Sequence, residues 1–283
     1  MKFSIIVPVF NTAEYLPRCI AALEGLDYPR DEYEILFVDN GSTDRSRDIL
    51  LAAPRIRVLS EPKQGSYAAR NAAVREARGA VLAFTDSDCA PHSGWLRAID
   101  AAFADADTQV VMGPRRPPSR IGVQRLVADY ERAKARMVFA SPSREAYYGH
   151  TNNMAVRRST MDRYGPFVER SRGSDTIFVR RVVDGEGCRS VVYRDDMCVA
   201  HFELVGLRAY YRKVFIYGRS RQLYRHIMRV RPLTGSERLE AARLCIRENR
   251  YPWYASIGLF GALAGGAVAW SLGSLVGRLS KPA

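Results

Sequence analysis

The 283-residue sequence has five cysteines, Cys19, Cys89, Cys188, Cys198 and Cys245, and no Cys-x-x-Cys pair among them. An odd number without paired spacing argues against a disulfide framework and a structural zinc site. It argues for reduced thiols in the cytosol. No Gly-x-Gly-x-x-Gly follows the first strand-like run, and no Gly-Lys-Ser/Thr loop occurs. Neither a dinucleotide fold nor a P-loop is therefore supported. Internal repeats and low-complexity tracts are absent. Met1-Lys2 leads straight into a strand-like run, so no signal peptide is expected. Acidic residues are in deficit: 30 Asp and Glu face 43 Lys and Arg, a net charge of +13. That excess admits nucleic acid, an anionic membrane surface or phosphorylated substrates as partners. No RNA- or DNA-binding motif accompanies the charge, so nucleic acid is not an expected partner.

What is present is an α/β pattern. Phe3–Val9 is short, apolar and β-branched, as buried strands are, with Pro8 near its end where a ladder donor is least missed. Asn11, with Glu14 three residues on, predicts a capping box that opens a helix through Leu26. Residues 34–38 form a second strand, which runs into the turn-rich Asp39-Asn40-Gly41-Ser42-Thr43-Asp44 and a helix over 45–52. A third strand spans 57–59. A third helix spans about 66–78, with Gly79 as its stop. Residues 80–84 are a further strand. Strands and helices alternating at this spacing predict a parallel sheet flanked by helices.

The chain is organised around the next residues, Asp86-Ser87-Asp88. A strand that delivers two acids to its C-terminal edge puts them where open α/β sheets bind ligands. Paired carboxylates with a small residue between them suit a hard divalent cation that also takes phosphate oxygens. A solvated turn is the plainer reading of the same residues. A nucleotide crossing these strand ends would meet Pro8, Val9, Asp39 and Asp86 together. Asp39 is a candidate acceptor for a base or ribose, and Arg70 for contact with a base or phosphate. Helix capping for Asp39 and a solvated helix face for Arg70 are the structural alternatives.

In order and spacing, Ser4–Asn11, Val38–Asp44, Gly65–Asn71 and Asp86-Ser87-Asp88 resemble the family 2 glycosyltransferases of GT-A fold. The resemblance covers residues 3–203. It implies a mixed, Rossmann-like sheet flanked by helices, and transfer from a nucleotide-diphosphate sugar with inversion. Under it, Asp39 contacts the base, joined by Arg70. Asp86 contacts the ribose, and Asp88 binds Mn2+ or Mg2+. Asn152–Arg158 and Tyr164–Phe167 look like the acceptor-side signature, which includes Asn153. Asp175, just before a helix over 177–183, takes the position of the catalytic base, and Ser174 stands where the family has glutamate. A base is needed because an acceptor hydroxyl is a poor nucleophile until its proton is removed. An N-cap is the structural alternative for Asp175. His201, in Val199-Ala200-His201, is a candidate metal ligand or diphosphate contact. A sugar nucleotidyltransferase and a non-catalytic binding protein remain as other classes. The first lacks its Gly-rich phosphate loop here, and the second gains nothing from Asp175.

The C-terminal part is read from physics alone. Aromatic and basic residues interleave over 207–231, the pattern of a membrane-surface amphipathic helix. Gln222–His226 resembles the Gln-x-x-Arg-Trp of processive synthases, with His226 in place of Trp, which speaks against processive polymerisation. Trp253–Gly277 carries no charge and exceeds the ~20 residues needed to span a bilayer. Basic residues flank both ends (Arg247 and Arg250, then Arg278 and Lys281), so charge does not set an orientation. Spanning and surface-lying arrangements both remain open. The expected organisation is a catalytic domain over 1–205, a basic amphipathic region over 206–250 and a hydrophobic membrane segment over 251–283. The catalytic domain is expected in the cytosol at the inner or plasma membrane. A lipid-linked or glycan acceptor is expected with it.

Overall fold

The computed structural model describes residues 1–117, 122–170, 172–202, 206–224 and 231–279. The chain divides into two compact units. The first comprises Met1–Arg115 and Tyr148–His201; the second comprises Arg116–Tyr147 and the chain from Phe202 onward.

In the first unit, seven strands form one sheet in the order β3-β2-β1-β4-β8-β6-β9. These strands are β1 (Phe3–Val9), β2 (Tyr33–Asp39), β3 (Arg57–Ser60), β4 (Val81–Thr85), β6 (Val110–Met112), β8 (Asn153–Arg157) and β9 (Val191–Tyr193). The first four strands are parallel, as strand-helix alternation predicts. β8 runs antiparallel to both β4 and β6, which makes the sheet mixed. β1 and β2 are buried along nearly their whole length, consistent with their unbroken apolar runs. The β1–β4 pairing ends at Ile6–Phe84, two residues before Pro8. β5 (Cys89–Pro91) and β10 (Val199–His201) pair antiparallel in a smaller sheet completed by β7 (Arg115–Arg116).

Helices α1 (Leu16–Glu24), α2 (Ser46–Leu51), α3 (Ser66–Glu76), α4 (Trp95–Phe103), α6 (Arg158–Tyr164) and α7 (Ser174–Glu186) belong to this unit. The main core is built from the inward faces of β1, β2, α1 and α4, with Trp95 fully buried. α3 ends at Glu76, short of Gly79. Gly79 serves a different purpose from the expected helix stop. A Cβ there would lie 2.5 Å from the backbone of Phe3 and Ser4, so only glycine lets the chain enter β4 beside β1.

The capping box expected at Asn11 does not form. Asn11 has φ +51°, outside the helix, and α1 begins five residues later with Pro17 in its first turn. The Asn11 Oδ1 instead accepts from the N–H groups of Thr43 (2.8 Å) and Asp44 (3.3 Å). In return Ser42 Oγ, Ser46 Oγ and Asp44 Oδ2 accept from the N–H groups of Asn11, Thr12 and Ala13. A long-range loop–loop network thus replaces the local cap.

The second unit is helical: α5 (Val123–Phe139), α8 (Leu207–Tyr224), α9 (Gly235–Asn249) and α10 (Trp253–Leu279). α5, expected inside a 1–205 domain, falls in this unit with the C-terminal helices. α9 opens on a capping box between Thr234 and Glu237, an element the amphipathic reading of 206–250 does not separate from α8. Arg225, His226 and Arg229 of the basic-aromatic stretch lie outside the described residues. Among the described residues, α10 is the one helix long and apolar enough to cross a membrane by length and composition.

Candidate functional site

The strand order reverses between β1 and β4: β2 and β3 lie on one side of β1, β4 on the other. Such a switch point opens a crevice at the carboxyl ends of the strands. Val9 ends β1 opposite Asp39, the last residue of β2, and Asp86 directly follows β4. The strand-end residues of the sequence reading therefore share one edge of the sheet.

Asp39 is buried, and its Oδ1 accepts the Ser42 N–H at 3.1 Å across the tight turn at Gly41. Its neighbour Asn40 fixes the facing loop. Asn40 Nδ2 donates to the carbonyls of Glu61 (2.7 Å) and Lys63 (2.8 Å), and its Oδ1 accepts the Gly65 N–H (2.8 Å). That clamp sets the start of α3, which carries Tyr67 and Arg70. Arg70 is 3% exposed, so it is not on a solvated helix face. Its Nη2 donates to Asp86 Oδ1 at 2.5 Å and its Nη1 to the Ser66 carbonyl at 3.2 Å. Its guanidinium also lies 5.3 Å from the Tyr67 ring centre. Asp86 keeps 32% of its side chain exposed, so one face stays open to a ligand.

Tyr67 links this end of the site to Asp175. Its phenol and the Asp175 carboxylate lie close enough to shift one another's proton affinity. Asp175 sits in the first turn of α7, which starts at Ser174, three residues earlier than expected. Its Oδ1 accepts the Thr176 N–H at 2.8 Å. The N-cap position belongs to Gly173, so Asp175 is not the helix cap. Burial pushes the Asp175 carboxyl above its ordinary value. Thr176, the Arg70 charge, Tyr67 and Thr151 oppose that shift without cancelling it. Burial and the Asp175 charge raise the Tyr67 phenol, which keeps it protonated. Gly149 is required behind this carboxylate: a Cβ there would lie 2.4 Å from the Asp175 carbonyl oxygen.

Asp88, Cys89 and His201 form a second cluster. Their ligand atoms lie within 4.8 Å of one another, and all three residues are buried. His201 Nδ1 is 3.6 Å from Asp88 Oδ2, and Cys89 Sγ is 3.5 Å from Asp88 Oδ1. The β5–β10 ladder sets the arrangement by pairing Cys89 with His201. A carboxylate oxygen, an imidazole nitrogen and a sulfur together suit a divalent cation of borderline character. Burial, then the charges of Asp88 and Asp86, push the Cys89 thiol well up, so the thiol is the weakest donor of the set.

Two expected residues are not available to an acceptor. Asn153 is fully buried, and its amide is consumed by the scaffold. Nδ2 donates to the Met197 (2.7 Å) and Pro114 (2.9 Å) carbonyls, and Oδ1 accepts the Trp95 indole N–H (2.9 Å). Ser174 is also fully buried, with its hydroxyl bonded to the Val168 carbonyl. Both serve packing. Sequence reasoning missed Tyr67, Asn40, Gly149 and Cys89. Tyr67 and Arg70 are three apart on a helix, which signals a shared face, but not what that face meets.

The family profile described as "Glycosyl transferase family 2" matches residues 4–172. Glycosyltransferase AglE of Haloferax volcanii is 33% identical over 190 residues, which is 64% of this chain and 61% of AglE. The match thus spans about three fifths of that relative's length. Among solved structures, the mannosyltransferase PcManGT of Pyrobaculum calidifontis aligns with a TM-score of 0.60 at 22% identity. That alignment covers 98% of this chain and 80% of PcManGT. Residues 1–349 of TarS of S. aureus align at 0.57 and 18% identity, over 95% of this chain and 81% of that one. These structures share the fold. With the family profile covering more than half of the chain, and the strand order and strand-end acids as described, the protein belongs to glycosyl transferase family 2 and has the GT-A fold.

Proposed function

We propose that this protein is a metal-dependent, inverting glycosyltransferase. It moves a sugar from a nucleotide-diphosphate sugar to a hydroxyl of a lipid-linked or membrane glycoconjugate. The observation that carries the reading is the series Asp86, Arg70, Tyr67, Asp175: Arg70 bonds Asp86 and packs on the Tyr67 ring, and Arg70 and Tyr67 both act on the Asp175 carboxyl. It joins the ligand-binding edge of the sheet to a desolvated carboxylate with a raised proton affinity, as general bases need.

In this reading Pro8, Val9 and Asp39 receive the base, and Asp86, braced by Arg70, receives the ribose. Asp88 and His201 hold the divalent cation. When bound, that cation supplies Lewis-acid neutralisation of the charge on the leaving diphosphate. An imidazole among the ligands favours Mn2+ over Mg2+, which prefers all-oxygen shells. Asp175 takes the proton from the acceptor hydroxyl as that oxygen attacks the anomeric carbon, and the sugar–diphosphate bond breaks on the opposite face. The Thr176 N–H holds the carboxylate in place, and Arg70 and Tyr67 temper its proton affinity. PcManGT was solved with GDP-Man and Mn2+, and TarS with UDP-GlcNAc, which supports the donor class and the cation. The apolar α10, uncharged up to Arg278, and the basic α8 support membrane association, with the catalytic unit in the cytosol.

The test is a thermal-shift panel of UDP- and GDP-sugars with and without Mn2+, on wild type and Asp88→Ala. Saturation at 100-fold over Kd stabilises the native state by about 2.7 kcal/mol. Metal-dependent stabilisation by one nucleotide sugar, lost in Asp88→Ala, is the expected result. Stabilisation by a nucleoside triphosphate and sugar phosphate alone would point to a nucleotidyltransferase instead.

A further inference from the structure

α10 has two unlike sides. Its inner side is closed by protein along the helix. Leu259 is fully buried in a cluster with Tyr130 and Ala133 of α5 and Ala241, Ala242 and Cys245 of α9. Further on, α8 takes over at backbone contact. A Cβ on Gly273 would lie 2.0 Å from the Phe215 carbonyl oxygen, and one on Gly218 would lie 2.2 Å from that of Trp270. The outer side is apolar and open. Trp253, Ile257, Phe260, Val268, Leu272 and Leu275 are 41–76% exposed. At 3.6 residues per turn they fall within an arc of about 120°. At ~1.5 Å per residue the 27 residues reach about 40 Å, long enough to cross a bilayer.

The covering helices decide against crossing. α5 carries Arg125, Asp129, Glu131, Arg132, Lys134 and Arg136, and Arg136 pairs with Glu248 of α9. α8 carries Arg208, Arg212, Lys213 and Arg219 and no acidic residue. Were α10 to span the hydrocarbon, these helices would go with it, and ionised groups are costly there. Set parallel to the membrane, the same α10 buries only its apolar side. The charge pattern fits that pose. Arg208, Arg212 and Arg219 are exposed, and their spacing puts them on one side of α8. Arg250 precedes α10 and Arg278 lies in its last turn, so both ends are basic, as a helix with both ends on one leaflet requires. Trp253 and Tyr254 open the exposed stripe, and such rings favour the headgroup level.

We infer that α10 lies in the plane of an anionic bilayer surface, with its outer face in the headgroup–acyl boundary, and does not cross the membrane. The inference deepens the membrane association proposed above and rests on it.

The full chain is added to preformed vesicles of phosphatidylcholine with and without phosphatidylglycerol. Flotation is expected with the anionic vesicles and is expected to weaken as salt rises. Val268→Lys, in the middle of the outer face, should lower partitioning by about tenfold or more while the free protein keeps its circular dichroism spectrum. Leu272→Ala, which keeps the face apolar, should still bind. Tyr254→Cys and Leu279→Cys, each on a Cys188→Ser, Cys198→Ser background, then report the ends. Both should react with an impermeant maleimide from outside. One end protected until detergent is added would overturn the in-plane geometry while leaving membrane association standing. No flotation with anionic vesicles would overturn both. A lipid-free dimer abolished by Val268→Lys would show that a second copy, not a bilayer, covers this face.

Discussion

Asp175 owes its proposed reactivity to a balance of opposed effects. Burial raises its proton affinity, and four donors or charges restrain the rise. Asp175→Asn keeps the shape and removes the base, so kcat should fall by about 10²–10⁴-fold. The nucleotide-sugar thermal shift should be retained, because the variant leaves the donor residues intact. Tyr67→Phe removes one of the groups that restrain Asp175. The Asp175 carboxyl then moves further up, and the acidic limb of the rate profile should move to higher pH. A pH series of kcat/KM on the two proteins reads this directly. An unshifted limb would mean that Tyr67 does not act on the base.

At the scale of elements, the start of the sheet is held by a buried carboxylate far along the strands from the site. Glu34 Oε1 accepts from Ser4 Oγ (2.7 Å) and the Arg78 N–H (2.7 Å), and Oε2 pairs with Arg57 at 2.5 Å. Burial pushes the Glu34 carboxyl up, but the bonds from Ser4, Arg78 and Arg57 together hold it below its ordinary value. A depressed carboxylate stabilises the fold fully above its unfolded value, about 4.3, and loses that contribution as pH falls through the folded value. Glu34→Gln should therefore cost about 1–3 kcal/mol at pH 7. The gap to wild type should close in acid, as urea unfolding at several pH values will report. In the helical unit, Thr234→Ala removes the α9 capping box and should cost about 1 kcal/mol.

At the scale of the molecule, α10 serves the fold and the surface at once. Its inner residues close the α5–α9 cluster, so removing residues 252–283 exposes Ala241, Ala242 and Cys245. A truncated chain should leave the membrane fraction and also lose stability in its helical unit. Sedimentation with membranes and a melting curve separate the two effects. Continued sedimentation of the truncated chain would mean that another element is the anchor.

The sequence by itself determined the strand-helix alternation, the strand-end acids and the family. Each of these is a local pattern: a buried strand must be apolar, and a ligand edge must follow it. Tertiary structure decided what those patterns meet. Asn11 caps nothing nearby because its oxygen is better used 32 residues away, on Thr43. Asn153 reads as an acceptor contact in a motif, yet β8 runs through the centre of the sheet and its amide must satisfy two carbonyls and an indole. The approach of Tyr67 to Asp175 spans more than a hundred residues and leaves no trace in spacing. An uncharged run long enough to span a membrane is likewise a local fact. Which side of it touches protein is set only by the helices packed against it, because burial is a property of neighbours and not of a segment.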